Sequence, residues 1–353
     1  MASLQEHTLA LPLLEQPADW TEPGAHPVVD HVYRIPLTLP LDGLAAVNVY
    51  LIEDDDGLVL IDSGWARPET EKALVEAVQG IGHRLEDIGQ VIVTHAHWDH
   101  YTQALALRES IGSQVRVGWE ERHTIEGFDL EEGVWPRQVG LLLECGAPEL
   151  AARIAAVPVE QSDRDMPFGP PDAWLRDGER IDLAGRHLGI RATPGHTRGH
   201  VVVADQAAGL LFSGDHVLPH ITPSLGFERS PERYPLRSYL ASLRLMRQVP
   251  DALLLPAHGP VTRSVHTRVD QLIAHHEERL EEVLRQVASG ADTAHSVARA
   301  LPWTRRRRRL DDLPVVHQMT AVLEIDAHLD VLAQQDAVTW QRVDGVRRFA
   351  AVA

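Results

Sequence analysis

The pattern of apolar and polar positions changes character at Val32. Residues 1–30 show no period and read as an irregular lead-in rich in acids and prolines. From Val32 onward, short apolar runs are bounded by turn residues. Ala46–Ile52 and Leu58–Ile61 predict two strands joined across the acidic turn Glu53–Gly57. Pro68–Val78 places Leu74, Val75 and Val78 at helical spacing. Val91–Val93 predicts a short buried strand, a helical pattern runs on to about Ser110, and Val115–Val117 predicts another strand. Strands alternating with helices point to an α/β layered fold.

Residues 126–175 break this rhythm. Val139–Cys145 and Pro148–Val157 are helical by period, and Pro167–Pro171 is a stiff loop, so the segment reads as an insertion lying over the active site. Strand-like runs return at Leu188–Ala192, Val201–Ala204, Leu210–Phe212 and Ala252–Leu255, with a helix over Leu236–Val249. A second unit begins near residue 263. Val265–Val287 is a long amphipathic helix, Thr293–Ala300 and Val315–Gln334 are two more, and Val338–Ala351 is a hairpin turning at Asp344-Gly345. Three helices followed by a hairpin is the order of a winged-helix module. The expected organisation is therefore a lead-in over 1–30, a catalytic domain over 31–262 and a winged-helix-like domain over 263–353.

Charge supports that boundary. The chain carries 33 basic and 51 acidic residues for a net charge of −18, and 262–353 is net neutral, so the excess lies in the first unit. Affinity for nucleic acid or an anionic membrane is not expected of such a surface. The one cysteine, Cys145, excludes an internal disulfide and a cysteine metal cage. The first residues lack a basic start followed by an apolar run, and no stretch is apolar enough to span a bilayer. A cytoplasmic location is expected.

The chemistry lies in Thr94-His95-Ala96-His97-Trp98-Asp99-His100, directly after the apolar run Val91–Val93. Four possible ligands fall within six residues, where a strand ends and a helix starts. His95 and His97 project to one side, while Asp99 and His100 turn toward a second point nearby. That spacing suggests two adjacent metal ions, and imidazole with carboxylate suits zinc, iron or manganese. Three further candidates also follow strand-like runs: His196 in Thr193–Thr197, Asp215 after Leu211–Gly214, and His258 in Leu255–Gly259. Loops at one edge of a sheet are where α/β proteins assemble sites.

Taken together, Asn48–Gly64 (NVYLIEDDDGLVLIDSG), His95–His100 (HAHWDH), Pro194–Gly199 (PGHTRG), Ser213–Asp215 (SGD) and Pro256–Gly259 (PAHG) resemble the metallo-β-lactamase-fold hydrolase superfamily in residues and order. The resemblance implies an αββα sandwich of two mixed sheets with helices outside. It implies that His95, His97 and His196 hold one metal, that Asp99, His100 and His258 hold a second, and that Asp215 bridges them. It also implies that Asp62, in Ile61–Gly64, orients a ligand histidine. The lactamases with a zinc-binding cysteine place it where Asp215 stands here, which argues against antibiotic breakdown. The set is more similar to the glyoxalase II-like group of thioesterases, lactonases and nucleases.

A second resemblance lies in His275–Leu280 (HHEERL) and Ala327–Leu329 (AHL), which look like the winged-helix tail of lactamase-β-2-like proteins. That subgroup includes endoribonucleases. The run Arg305–Arg309 invites the same thought, yet Asp311 and Asp312 offset it. The tail's helices could equally wall the cleft or form a homodimer contact.

The expected function is a binuclear metal-dependent hydrolase. Two divalent ions, zinc before iron or manganese, would share a bridging hydroxide that attacks a thioester, lactone or related ester of a small acyl substrate. Asp99 is the candidate proton donor to the leaving group. Trp65, Trp98, Arg198, His216 and His220 stand beside the motifs and are candidate substrate contacts. The alternatives are a metal-dependent endoribonuclease or phosphodiesterase, and a mono-iron redox or non-hydrolytic metal protein.

Overall fold

A computed structural model describes residues 14–41 and 43–352. The first sheet runs in chain order: β1 (His26–Val29), β2 (Val32–Thr38), β3 (Ala46–Asp54), β4 (Gly57–Ile61), β5 (Ile88–Val93), β6 (Gln114–Gly118) and β7 (Ala173–Leu175). Its first four strands form an antiparallel meander, and β4 to β7 are parallel. The second sheet holds β8 (Arg180–Asp182), β9 (His187–Ala192), β10 (Val201–Asp205), β11 (Leu210–Gly214) and β12 (Leu253–Pro256), in the order β12-β11-β10-β9-β8.

The near-continuous apolar runs of these strands have a simple cause: both faces of each sheet are covered. On β3, Val47, Val49 and Leu51 pack toward helices, while Tyr50 and Ile52 face the other sheet. On β11 the pattern repeats, with Leu210 and Phe212 between the sheets and Leu211 on the outer side. Tyr50 and Phe212 meet edge to face across the sandwich at 5.3 Å. Helices α1 (Pro68–Gly80) and α2 (Trp98–Ile111) cover the first sheet through Leu74, Val78, Tyr101 and Leu105. The mixed sandwich with outer helices matches the expected fold class.

Strands β1, β7 and β8 escape the sequence pattern, β7 lying at the end of the 126–175 segment. β1 lies inside the expected irregular lead-in and pairs with β2; residues 1–13 of that lead-in lie outside the described residues. β8 is a three-residue edge strand on β9.

The segment 126–175 also differs from expectation. It follows the short α3 (Arg122–Glu126) and contains α4 (Pro136–Glu144), α5 (Pro148–Ala155) and α6 (Gln161–Arg164). Beyond these come α7 (Pro235–Met246), α8 (Val265–Ala288), α9 (Ala294–Ala300) and α10 (Val315–Gln334), then β13 (Val338–Val343) paired with β14 (Val346–Ala351). α4 and α5 do not lie over the metal-ligand loops. Leu142, Leu150 and Ile154 join the apolar cluster of Val322, Ile325 and Phe349, because both amphipathic helices bury their apolar faces against α10. The flanks of the segment reach the site side, where Phe128 packs on Trp98 and Phe168 on Tyr101, and α4 touches it through Gln138, whose amide donates to the carbonyls of Gly226 and Glu228 at 3.1 and 2.9 Å. The same cluster takes in Val202, Leu211 and Leu243, so the C-terminal helices cover the outer face of the second sheet. Among the described residues no helix is long and apolar enough to cross a membrane.

Candidate metal centre

Every candidate ligand sits just past the carboxyl end of a strand, or on the first turn of α2, along one rim of the sandwich. β5 delivers His95, α2 begins with Asp99 and His100, β9 ends before His196, β11 before Asp215 and β12 before His258. Backbone conformation aims them. Gly195 takes φ +140°, and a Cβ there would stand 2.5 Å from the Cα of Tyr239. Asp62 lies in the left-handed region at φ +56°, a strained setting for a residue with a side chain. Asn48, on β3, donates to the carbonyls of Pro256 and Gly259 at 3.0 and 2.8 Å and so ties the His258 loop to the first sheet.

Two groups of donors result. His95 Nε2 lies 3.0 Å from His97 Nδ1, and His196 Nε2 lies 3.1 Å from the same atom. Asp99, His100 and His258 form the second group, with His258 Nε2 at 3.5 Å and His100 Nε2 at 3.7 Å from Asp99 Oδ2. Asp215 stands between them. Its Oδ2 is 3.4 Å from His196 Nε2, and its Oδ1 is 3.3 Å from His258 Nε2 and 3.7 Å from His100 Nε2.

The far side of each ring fixes its tautomer. His100 Nδ1 donates to Asp62 Oδ2 at 2.9 Å, His196 Nδ1 to the Ser224 carbonyl at 2.6 Å, and His258 Nδ1 to the Ala46 carbonyl at 2.8 Å. Thr94 gives its hydroxyl to Asp62 and accepts from His95 Nδ1 at 3.1 Å. Four Nε2 lone pairs therefore point inward, at one another and at the oxygens of Asp215. His100 Nε2, His258 Nε2 and Asp215 Oδ1 are buried without a hydrogen-bond partner. Acceptors facing acceptors, out of reach of water, are unfavourable unless a cation lies between them. The donor set fits a divalent metal ion.

Electrostatics agree. Burial opposes charge on His100, but Asp62, Asp99 and Asp215 together pull its pKa up to about 10, so the ring carries a proton at neutral pH unless a metal ion takes that proton's place on Nε2. Burial, reinforced by neighbouring imidazoles, holds His95 and His97 well below the usual histidine range. Burial raises the Asp215 carboxyl, yet His258, His100, His196 and His97 outweigh it and leave the group below the ordinary carboxylate range.

The other candidates are placed unevenly. Trp65 and Trp98 meet edge to face at 5.6 Å, half-buried beside the first ligands. Arg198 is half-exposed, with Nε 3.2 Å from Glu120. His220 is exposed, close to Gly259. His216 does not reach the open side. It is wholly buried, its ring 5.4 Å from Tyr239 and 6.0 Å from His200, because it turns into the layer beneath the second sheet.

Three supporting residues escape the sequence reading. His200 Nε2 accepts the backbone N–H of Asp215 at 3.2 Å, while its Nδ1 donates to Thr193 Oγ1 at 2.8 Å. Buried Glu121 accepts from the Thr197 hydroxyl and faces the backbone N–H groups of Ala96 and Gly199, so one carboxylate joins the loop of His95 and His97 to that of His196. Buried Glu228 accepts from Arg198 N at 3.0 Å and from Thr124 Oγ1 at 3.2 Å. His200 carried a signal, four residues past His196; the two glutamates carried none, being isolated acids far from the motifs.

The family model described as "Metallo-beta-lactamase superfamily" matches residues 42–258. The chain is 27% identical over 317 residues to the "Probable metallo-hydrolase YqjP" of Bacillus subtilis (strain 168), covering 83% of this chain and 89% of that protein. It is 27% identical over 187 residues to an "Atrochrysone carboxyl ACP thioesterase" of Aspergillus fumigatus, covering 50% of this chain and 42% of that protein. A crystal structure of a metallo-beta-lactamase family protein from Thermus thermophilus superposes with a TM-score of 0.74 at 25% identity, over 92% of this chain and 99% of that one.

Proposed function

Because the chain belongs to the metallo-beta-lactamase superfamily and is thus a metal-dependent hydrolase, we propose that it is a binuclear enzyme that cleaves a thioester, lactone or related ester of a small acyl substrate. The observation that carries this reading is the division of Asp215, one oxygen toward His196 and the other toward His258 and His100. One carboxylate set between two groups of inward-facing lone pairs is suited to two cations, one on each side. His95, His97 and His196 would hold the first, Asp99, His100 and His258 the second, and Asp215 both. Imidazole and carboxylate ligands favour zinc, with iron and manganese as the alternatives.

Bound divalent ions would supply Lewis acidity toward a carbonyl oxygen and toward water. The protein's own groups do the rest. Asp62, Ser224 and Ala46 hold the rings with their lone pairs inward. Trp65 and Trp98 make an apolar wall beside the ligands, suited to an acyl chain. Asp99 has the most exposed side chain of the three site carboxylates, at 15% against 10% for Asp215 and 4% for Asp62, which supports it as the proton donor to the leaving group. A departing thiolate needs little such help. The thioesterase name of the Aspergillus relative supports that end of the range.

The test pairs elemental analysis of protein purified without added metal with rates on a thioester, a lactone and a labelled RNA. Near two ions per chain, with turnover of an acyl substrate and not of RNA, is expected. One iron per chain, or cleavage of RNA alone, overturns the reading.

A further inference from the structure

The loop that follows Asp215 is held from outside by two arginines. Arg305 Nη2 donates to the His220 carbonyl at 2.7 Å, and Arg268 donates to the carbonyls of Leu218 and Ile221 at 2.6 and 3.0 Å. The same loop gives the Ser224 carbonyl to His196 and packs against the His258 loop: a Cβ at Gly259 would stand 2.6 Å from Pro219 and 3.9 Å from the His220 ring. The turn over residues 304–309 therefore lies on the outer side of the rim of the metal-ligand cluster, two contacts from His258.

That turn is built to stay in place. Trp303 and Arg308 exchange backbone hydrogen bonds at 2.8 and 2.7 Å, and the Trp303 indole donates to the Ala298 carbonyl at 2.8 Å. Thr304 and Arg307 sit at φ +62° and +54°, each a strained left-handed setting. The turn exposes five guanidinium groups in a row. Among the described residues none of the five forms an ion pair, whereas nearby Arg299 pairs with Asp311. Burial lowers the pKa of Arg268, and the Arg305 charge beside it lowers it further, the mark of cations packed together.

Clustered like charges cost free energy, and the rest of this chain is strongly acidic. A fixed knot of unpaired cations beside the site mouth is useful for capturing a compact polyanion. An extended strand would need the charge to continue across the face, but the turn is followed by Asp311 and Asp312, and the surrounding unit is net neutral. We propose that the 304–309 turn binds the phosphate-bearing end of the substrate's carrier, so that the acyl group arrives as the thioester of a nucleotide with several phosphates. Water adds to the thioester carbonyl and the C–S bond breaks. Sulfur leaves with the bonding pair and takes up a proton, giving an acid and a free thiol. The proposal rests on the hydrolase reading above and names its substrate class.

The test uses the full chain and coenzyme A, a nucleotide thiol with three phosphates, titrated by calorimetry at low and high salt. The comparison protein is the double variant Arg306→Glu, Arg308→Glu, whose native side chains make no hydrogen bond or ion pair among the described residues; circular dichroism verifies its fold. Saturable, salt-sensitive binding that is at least tenfold weaker in the variant is expected, with retention in Arg306→Lys, Arg308→Lys. The ratio of kcat/KM for acetyl-coenzyme A to that for the acetyl thioester of N-acetylcysteamine should also fall at least tenfold. Absence of saturable binding, equal binding by both proteins, or loss of labelled-RNA binding in its place overturns the proposal. If neither thioester is hydrolysed, the thioester part of the reading above fails, while the titration still decides the role of the turn.

Discussion

Asp62 Oδ2 accepts the Nδ1 proton of His100 at 2.9 Å, and both side chains are buried. The carboxylate is held in turn by the backbone N–H of Thr94 at 2.8 Å and by its hydroxyl at 3.0 Å. Every acceptor site on Asp62 thus serves the orientation of two candidate ligands, His95 and His100. Asp62→Asn must turn one N–H against a donor and remove the charge that makes His100 a stronger ligand. Metal affinity of the second group should fall by roughly 10- to 100-fold, read by competition with a chromophoric chelator. Unchanged affinity would sink the orienting role.

His100→Ala removes a ring from the second group and leaves the first intact. Metal content should drop from about two ions per chain to one. Hydrolysis should fall on the order of 10³-fold, the scale of losing one preorganised stabilising group. Full activity with a single ion would sink the two-metal reading.

Chelation should destabilise the protein, because it leaves the lone pairs of His196 and His258 facing Asp215 at 3.4 and 3.3 Å. Free metal at a hundredfold excess over its Kd contributes about 2.7 kcal/mol per site. A melting curve with and without chelator reads this. A Tm that does not move under full metal removal would contradict it.

Burial pushes the Glu121 carboxyl up to about 7, against the lowering effect of Thr197 and the amides of Ala96 and Gly199. A carboxyl whose folded pKa lies above its unfolded value binds more protons when folded. Its contribution is therefore most favourable below the unfolded value and is lost as pH rises through that window to about 7. Glu121→Gln, which keeps a neutral acceptor, should flatten the fall in Tm between pH 5 and 7.5 relative to the parent. Parallel curves would place the proton elsewhere.

Gly199 carries the join between the two ligand loops: a Cβ there would stand 2.1 Å from the backbone nitrogen of Glu121. Gly199→Ala should cost about 3 kcal/mol, the upper range for overpacking a rigid site. It should also weaken metal binding, since Thr197 and Ala96 move with Glu121. Urea unfolding and metal titration of one preparation check both.

Much of this was legible because its signals are local. The run His95–His100 announces itself, and Val315–Gln334 is bounded as the period predicts, since Pro314 is tolerated at a helix start but not in its interior and Asp336 turns the chain at φ +57°. What was hidden depends on distant partners. Glu121 acts through Thr197, 76 positions away, and no property of an isolated acid foretells that. β1 and β8 are short edge strands, where pairing rather than pattern decides. The helices of the 126–175 segment follow their period, but their partner α10 lies far along the chain, so period alone does not place them. His216 stands beside a ligand in sequence, yet its ring lies inward against Tyr239, a partner on α7 that the local sequence does not reveal.

The ligand groups draw on both sheets, and His97 and His196, which share the first group, are 99 positions apart. The local run His95–His100 completes neither group by itself. The loops of the cluster close only when the whole sandwich has formed, so the entropy of long-range closure is met before any ion can be held. Metal uptake during refolding should therefore be a late, all-or-none event, and metal occupancy a gauge of how many molecules in a preparation have reached the native topology.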